Sequence, residues 1–253
     1  MDAGYFPAVV QEKFLMAKHT PQNDFRKWNE EMAVKYNPEL FHGSRDIFIR
    51  WIEGARVKRI IRSASGYQGK RVLEVGCGAG NILEKLPIEN LFGIDISDYL
   101  LKRAGIRLGK KAWLSQGNAE SMPFKDGSFD LAICTEVIEH TQNPAVLLAS
   151  INSVLKPGGK LVISIPNEKL INFLKRLYFA FLRKAGSGAK YEIARKMNEE
   201  WHLHEFKLAG FVGLLKKDFK VKRVYRIPFY FLPVRYVISC FKPGHPACRG
   251  GRL

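Results

Sequence analysis

The 253-residue chain is 46% apolar and 26% charged, the ordinary composition of a soluble domain able to bury a sizeable core. Its four cysteines (77, 134, 240, 248) show no CxxC pairing or zinc spacing, and its start lacks the basic region and apolar run of a signal peptide, so a reducing cytoplasm is expected. The net charge is +17, but residues 1–65 contribute +3, residues 66–165 only +1 and residues 166–253 as much as +13, which points to an anionic partner for the last third.

Residues 1–43 read as mixed and irregular, with aromatics at Phe25, Trp28, Tyr36 and Phe41. From Ser44, SRDIFIRWIEGARVKRIIRSA predicts an amphipathic helix with Ile47, Trp51, Val57 and Ile61 on one face. Alternating units follow. KRVLEVG (70–76) predicts a buried strand, AGNILEKL (79–86) a helix, NLFGIDI (90–96) a strand and 98–107 a helix beginning beside Ser97. AWLSQGN (112–118), FDLAICTEV (129–137) and KLVISIP (160–166) predict three more strands, with a helix over 144–155 before the last. Apolar strands alternating with helices at this spacing imply a doubly wound, Rossmann-like parallel sheet covered on both faces.

After Pro166 the rhythm changes. LINFLKRLYFAFLRK (170–184) is helical in pattern, with polar residues on one narrow face, and AGSGAK reads as a joint. A helix over 205–216 and a strand FKVKRVYRI (219–227) follow, and the tail supplies the sheet's last strands. The expected organisation is an N-terminal helical extension over 1–65, serving as a substrate cap, and a domain over 66–253. Within that domain 167–200 is a helical insertion after strand 5 of a mostly parallel, seven-stranded sheet. The longest apolar stretch, 225–241, is interrupted by Arg226, Pro228, Pro233 and Arg235, which argues against a membrane span.

VLEVGCGAGN (72–81) is the chemically informative loop. A dinucleotide fingerprint requires Gly or Ala three places after its second glycine, where this chain has Asn81. Its glycines are instead 76, 78 and 80, with Glu74 two residues ahead. In an open parallel sheet the ligand lies beyond the C-terminal strand ends. Asp95 ends the second strand, where a carboxylate can accept both hydroxyls of a ribose. Asn118 ends the third, where it can bond an adenine edge, with Ala119 and Met122 packing on the ring.

VLEVGCGAG, GIDIS, GNAESMPFKDGSFDLAICTEVIEH and VLKPGGKLVISIPN, in this order, resemble the successive motifs of class I S-adenosylmethionine-dependent methyltransferases. The resemblance covers about residues 70–167 and is nearest to the broad type 11 group that includes quinone-biosynthesis methyltransferases. It implies S-adenosylmethionine as cofactor, with Glu74, Gly76 and Gly78 cradling its methionine part beside Cys77 and Gly80. Asp95 and Ile96 would hold the ribose, Asn118 and Ala119 the adenine, and Thr135, Glu136 and Val137 would pass beneath the methionine end. Many members of the family carry Asp where Asn118 stands, a mild departure because Asn also hydrogen-bonds adenine.

Cys77 reads as a packing residue and not as a nucleophile. TEVIEHTQNP leaves the fourth strand on the acceptor side, making Glu136, Glu139 and His140 candidates for proton handling or substrate binding. His202 and His204 of EWHLHEF, two apart and therefore on one face if extended, are the other catalytic candidates. No metal is assigned, although in related quinone O-methyltransferases the E-x-x-E-H stretch is sometimes linked to a divalent cation. The expected acceptor is small and lipophilic or lipid-linked, with peripheral contact to an anionic membrane, and the alternative acceptor is RNA held by the basic C-terminal third.

Overall fold

A computed structural model describes residues 25–36, 47–182 and 200–244. Two helices, α1 (Phe25–Tyr36) and α2 (Ile47–Ala64), precede the sheet. The sheet region runs β1 (Val72–Val75), β2 (Leu91–Asp95), α3 (Asp98–Leu108), β3 (Ala112–Gln116), β4 (Phe129–Thr135), α4 (Pro144–Val154) and β5 (Leu155–Pro166). Then come α5 (Glu168–Leu182), α6 (Leu208–Leu215), β6 (Lys220–Pro228) and β7 (Pro233–Phe241). The seven strands lie in the order β3-β2-β1-β4-β5-β7-β6, with β1 to β5 parallel and β7 antiparallel to both of its neighbours. The expected Rossmann-like architecture is thus the observed one.

Strand alternation builds two cores. Leu73, Val75, Ala132 and Cys134 point to the face covered by α4 and α6, while Val72, Leu131, Ile133 and Val162 point to the face covered by α2 and α3. Helix starts follow their caps. Ser97 accepts from the amide of Leu100, and Asn143 accepts from those of Ala145 and Val146 ahead of Pro144.

Four sequence expectations need correction. Residues 25–36 are a regular helix, α1, whose buried face is Asn29, Ala33 and Tyr36. Helical spacing carried by a polar, a small and an amphipathic residue leaves no apolar stripe to read. Residues 79–86 do not form a full helix. Gly80 lies in the left-handed region (φ 78°) and Leu86 is extended ahead of Pro87, leaving room for only a 3-10 turn at Leu83–Lys85. On α2 the buried face is Ile52, Arg56, Val57, Ile60 and Ala64, whereas Trp51 is 45% exposed. Finally, β5 begins at Leu155, so KPGG is an irregularity within a paired strand and not a loop before it. Helix α5 occupies most of the expected 170–184 helix, and residues 183–199 of the insertion lie outside the described residues.

At the bottom of β4, Asp130 accepts from the Arg71 amide at 3.0 Å and from Lys156 Nζ at 2.8 Å. Burial pushes its carboxyl up, but these two donors outweigh that and hold it below the ordinary aspartate value. A depressed folded-state value stabilises the fold above the unfolded-state pKa, and that stability disappears as the pH falls through the depressed value. Asp130→Asn is therefore expected to cost about 1 kcal/mol near neutral pH. In urea titrations the gap between variant and parent should close as the medium becomes acidic.

Candidate active site

The cofactor half is assembled at the C-terminal ends of β1, β2 and β3. Gly76 and Gly78 both adopt positive φ (68° and 51°). Their roles differ. A Cβ on Gly76 would lie 2.3 Å from Val137 Cγ2, so this glycine lets the loop pass against β4's exit. A Cβ on Gly78 would meet nothing closer than 4.0 Å, so this glycine leaves open space above the loop. Gly80 instead permits close packing, since its Cβ would fall 2.8 Å from Leu108 Cδ1. Cys77 is buried with its thiol pKa pushed up, chiefly by burial, and its Sγ packs over Gly93, as expected of an inert packing residue.

Asp95 ties this loop to the second strand. Its Oδ2 accepts from the Gly78 amide at 2.7 Å and its Oδ1 from the Ser97 amide at 2.9 Å. Burial raises its pKa while the two amides pull the other way. Each oxygen keeps a further lone pair for a ribose hydroxyl. Beyond Asp95 lies a cleft of about 290 Å³ lined by Ile96, Gln116, Gly117 and Asn118, and by Phe25 and Arg26 of α1. Asn118 Oδ1 accepts from the Glu120 amide, so its side chain is fixed at the cleft's edge next to Ala119.

Helix α1 is pinned over this end. Glu30 Oε1 accepts from the Tyr99 amide at 2.8 Å, Asn29 Oδ1 from Trp201 Nε1 at 3.2 Å, and Glu200 Oε2 from the Tyr36 hydroxyl at 2.6 Å. Phe25, Arg26 and Arg56 were not singled out by the sequence, where only Phe25's aromaticity was a signal.

Arg56 is the most informative of these. It is 4% exposed, bonds Glu53 Oε2 through Nε and Nη2 at 3.0 and 2.8 Å, and leaves Nη1 buried with no partner among the described residues. Burial opposes its charge, but Glu53, Glu136 and Glu74 together raise its pKa. Glu74 is 2% exposed, is pushed well above the ordinary carboxylate range by burial, and also leaves Oε2 without a partner among the described residues. A buried donor and a buried acceptor that feel each other's charge, both unsatisfied among the described residues, are what an amino-acid moiety with a carboxylate and an ammonium would complete.

On the acceptor side, Glu136 turns the chain out of β4 in the left-handed conformation (φ 55°), which for a non-glycine residue costs about 1–3 kcal/mol. Thr135 is buried just before it. The 3-10 turn Ile138–His140 then places His140 under the 200–204 segment. His140 Nδ1 lies 3.0 Å from the Trp201 carbonyl, which can only accept, so Nδ1 carries the proton and Nε2 is the acceptor nitrogen. Burial, reinforced by His202, lowers its pKa to about 3, so His140 is neutral throughout the physiological range. Glu139 is 1% exposed, its carboxyl raised well above the ordinary range by burial and by Glu136, and its Oε2 has no partner among the described residues.

The two histidines of EWHLHEF diverge. His202 joins the site, with Nδ1 2.6 Å from Glu168 Oε1 and its ring edge-on to His140 at 4.8 Å. His204 turns to the loop backbone, with Nε2 2.9 Å from the Thr141 carbonyl. Glu139, His140 and His202 each present one ligand atom within 4.8 Å of the others, an arrangement with the donor types for a cation.

Residues 73–163 match the family model described as a methyltransferase domain. The ubiquinone biosynthesis O-methyltransferase of Paraburkholderia phymatum is 29% identical over 209 residues, 77% of this chain and 80% of that protein. The protein of the same name from Aromatoleum aromaticum is 35% identical over 55% of this chain and 58% of its own. The Pseudomonas aeruginosa one is 28% identical over 56% and 59%, so the chain spans about three-fifths of the length of these two relatives. Among solved structures, N-methyltransferase NodS of Bradyrhizobium japonicum with S-adenosyl-L-homocysteine superposes with a TM-score of 0.60 at 18% identity, over 87% of this chain and 99% of that one. A SAM-dependent methyltransferase of Thermotoga maritima gives 0.57 at 21% identity, over 84% and 99%. Residues 73–163 are thus similar to a methyltransferase domain, set in a fold shared with S-adenosylmethionine-dependent methyltransferases.

S-adenosylmethionine fits the residues present. Glu74 and Arg56 would meet the two charges of its amino-acid end, Asp95 its ribose, and Ile96, Asn118 and Ala119 with Phe25 and Arg26 its adenine. Bound there, the sulfonium supplies an already activated methyl group.

Proposed function

We propose that this chain is an S-adenosylmethionine-dependent methyltransferase acting on a small lipophilic or lipid-linked acceptor, by O- or C-methylation of the kind a quinone precursor undergoes, while resting against an anionic membrane surface. The observation that carries the reading is a rim of exposed apolar side chains beside the acceptor end. Phe229, Tyr230 and Phe231 at the β6–β7 turn are 42%, 77% and 80% exposed. Trp51 of α2 joins Phe229 at 5.2 Å, and Phe229 stacks on Phe231 at 5.4 Å. Helix α5, with Phe173 and Leu177 more than half exposed, begins where Asn167 bonds the carbonyls of Pro233 and Val234. Amphipathic aromatics with Arg226 stacked over Tyr230 suit the interface of an anionic bilayer. No helix among the described residues is long and apolar enough to cross a membrane, so the contact proposed is peripheral.

In this reading α1 and α2, within the 1–65 extension, form a cap over the cofactor and acceptor, and α5, from the 167–200 insertion, flanks the entry. The protein's work is alignment and exclusion of water. His140 offers a neutral acceptor nitrogen toward an acceptor hydroxyl, its ring held by the Trp201 carbonyl and by His202, itself fixed by Glu168. Ubiquinone biosynthesis is what the curated relatives are named for, and it supports the choice of acceptor class.

The test is incubation of the chain with methyl-labelled S-adenosylmethionine and fractionated cell extract, with flotation on anionic vesicles in parallel. Label entering the lipid fraction, with flotation lost on replacing Phe229, Tyr230 and Phe231 by serine, is the expected outcome. Label in RNA without flotation would favour the alternative, in which the basic C-terminal third holds nucleic acid.

A further inference from the structure

Glu136 is the only non-glycine residue with positive φ among the described residues, and such a conformation persists only where the surroundings over-determine it. Three groups surround it. Ser164 of β5 donates its hydroxyl to Oε1 at 2.8 Å. The Ser164 carbonyl faces the Glu136 amide at 3.4 Å. Arg235 of β7 places Nε 2.7 Å from Oε2. This last contact is an ion pair without hydrogen-bond alignment, since among the described residues Nε finds no acceptor along its N–H direction. Charge and not fork geometry therefore holds it. Arg235 also lies 3.6 Å from Glu53 Oε1, and Glu53 binds Arg56. An alternating row Glu136–Arg235–Glu53–Arg56 thus runs from the end of β4 across to α2.

The turn at Glu136 decides where the next side chain goes. Val137 is pressed on Gly76 so closely that a methyl group there would overlap it. Gly76 opens the loop that must receive the methionine end of the cofactor.

We propose that Arg235 is a positioning residue: by pairing with Glu136 it fixes the left-handed turn that seats Val137 against Gly76, and so sets the floor of the cofactor site from a strand on the far side of β5. The proposal rests on the cofactor reading above. It gives Arg235 a role that the stretch around it, rich in aromatics and proline, does not advertise.

Titration calorimetry of the full chain with S-adenosylhomocysteine tests it, with thermal melting of each variant as the control for folding. Arg235→Gln is expected to weaken binding about tenfold, while Arg235→Lys, which keeps the charge, stays within about threefold of the parent. Glu136→Gly adopts the turn without needing a clamp, so adding Arg235→Gln to it should change affinity little further. Arg235→Gln binding as tightly as the parent, or the same loss in the Glu136→Gly background, would overturn the proposal. So would equal losses for the lysine and glutamine variants. Failure of the unaltered chain to bind S-adenosylhomocysteine is a separate result, which removes the cofactor reading itself and the proposal with it.

Discussion

Asp95→Ala is expected to weaken S-adenosylhomocysteine binding about a hundredfold, the equivalent of roughly 3 kcal/mol. Two effects combine. The substitution removes the carboxylate facing the ribose position, and it strips the Gly78 and Ser97 amides of their acceptor. A buried donor left unpaired costs about 1–3 kcal/mol, and here one of the two belongs to the glycine loop itself. The loop should therefore loosen before any ligand arrives. Asp95→Asn is informative because it is nearly isosteric: one of its two terminal atoms donates and cannot accept from an amide. It should fall much closer to the alanine variant than to the parent. Calorimetric affinities of the three proteins, with melting temperatures alongside, check both statements.

Gly76→Ala should be the most damaging single methyl group in the site. The added carbon would lie 2.3 Å from Val137 Cγ2, and the residue would have to hold φ 68°. A left-handed alanine costs about 1–2 kcal/mol and overpacking about 1–3 kcal/mol more. Together they claim a large part of the roughly 5–15 kcal/mol that holds a domain folded. The two contributions can be separated. Val137→Ala added to Gly76→Ala relieves the steric part and leaves the backbone part, so denaturant unfolding should show partial recovery. Gly78→Ala makes the contrast: it meets open space, so its cost should be close to the backbone contribution alone.

The sheet was legible because its central strands are buried on both faces and read as short, continuous apolar runs between turn residues. VLEV, LFGID and FDLAICT each lie within a run expected from the sequence, differing from it by one or two residues at the ends. The glycine loop, Asp95 and Asn118 were legible for a related reason: strand ends in a parallel sheet fix where a ligand lies, so residue type and position together identify the site. What escaped reading was held by polar contacts between distant segments. Helix α1 buries Asn29 and Tyr36 through bonds to Trp201 and Glu200, more than 160 residues away, and no local apolar stripe marks it. Arg56 and Arg235 look like surface cations on an amphipathic helix and an interrupted apolar stretch. Arg235 is drawn inward by Glu136 and Glu53 on other elements, and Arg56, bonded to Glu53 of its own helix, also feels the charges of Glu136 and Glu74 at the strand ends, pairings that a single sequence does not show. His140 was legible as a site residue, but the burial that holds it neutral depends on Trp201 and His202 arriving from beyond the insertion.

The loop over residues 76–80, closed by Asp95 and flanked by Glu74, is the proposed seat of S-adenosylmethionine, with Arg56 at its amino-acid end. The most direct test is titration calorimetry of the unaltered chain with S-adenosylhomocysteine and, separately, with NADH. Saturable binding of one equivalent of S-adenosylhomocysteine, with no heat from NADH beyond dilution, is the predicted result. NADH binding without S-adenosylhomocysteine binding would contradict it.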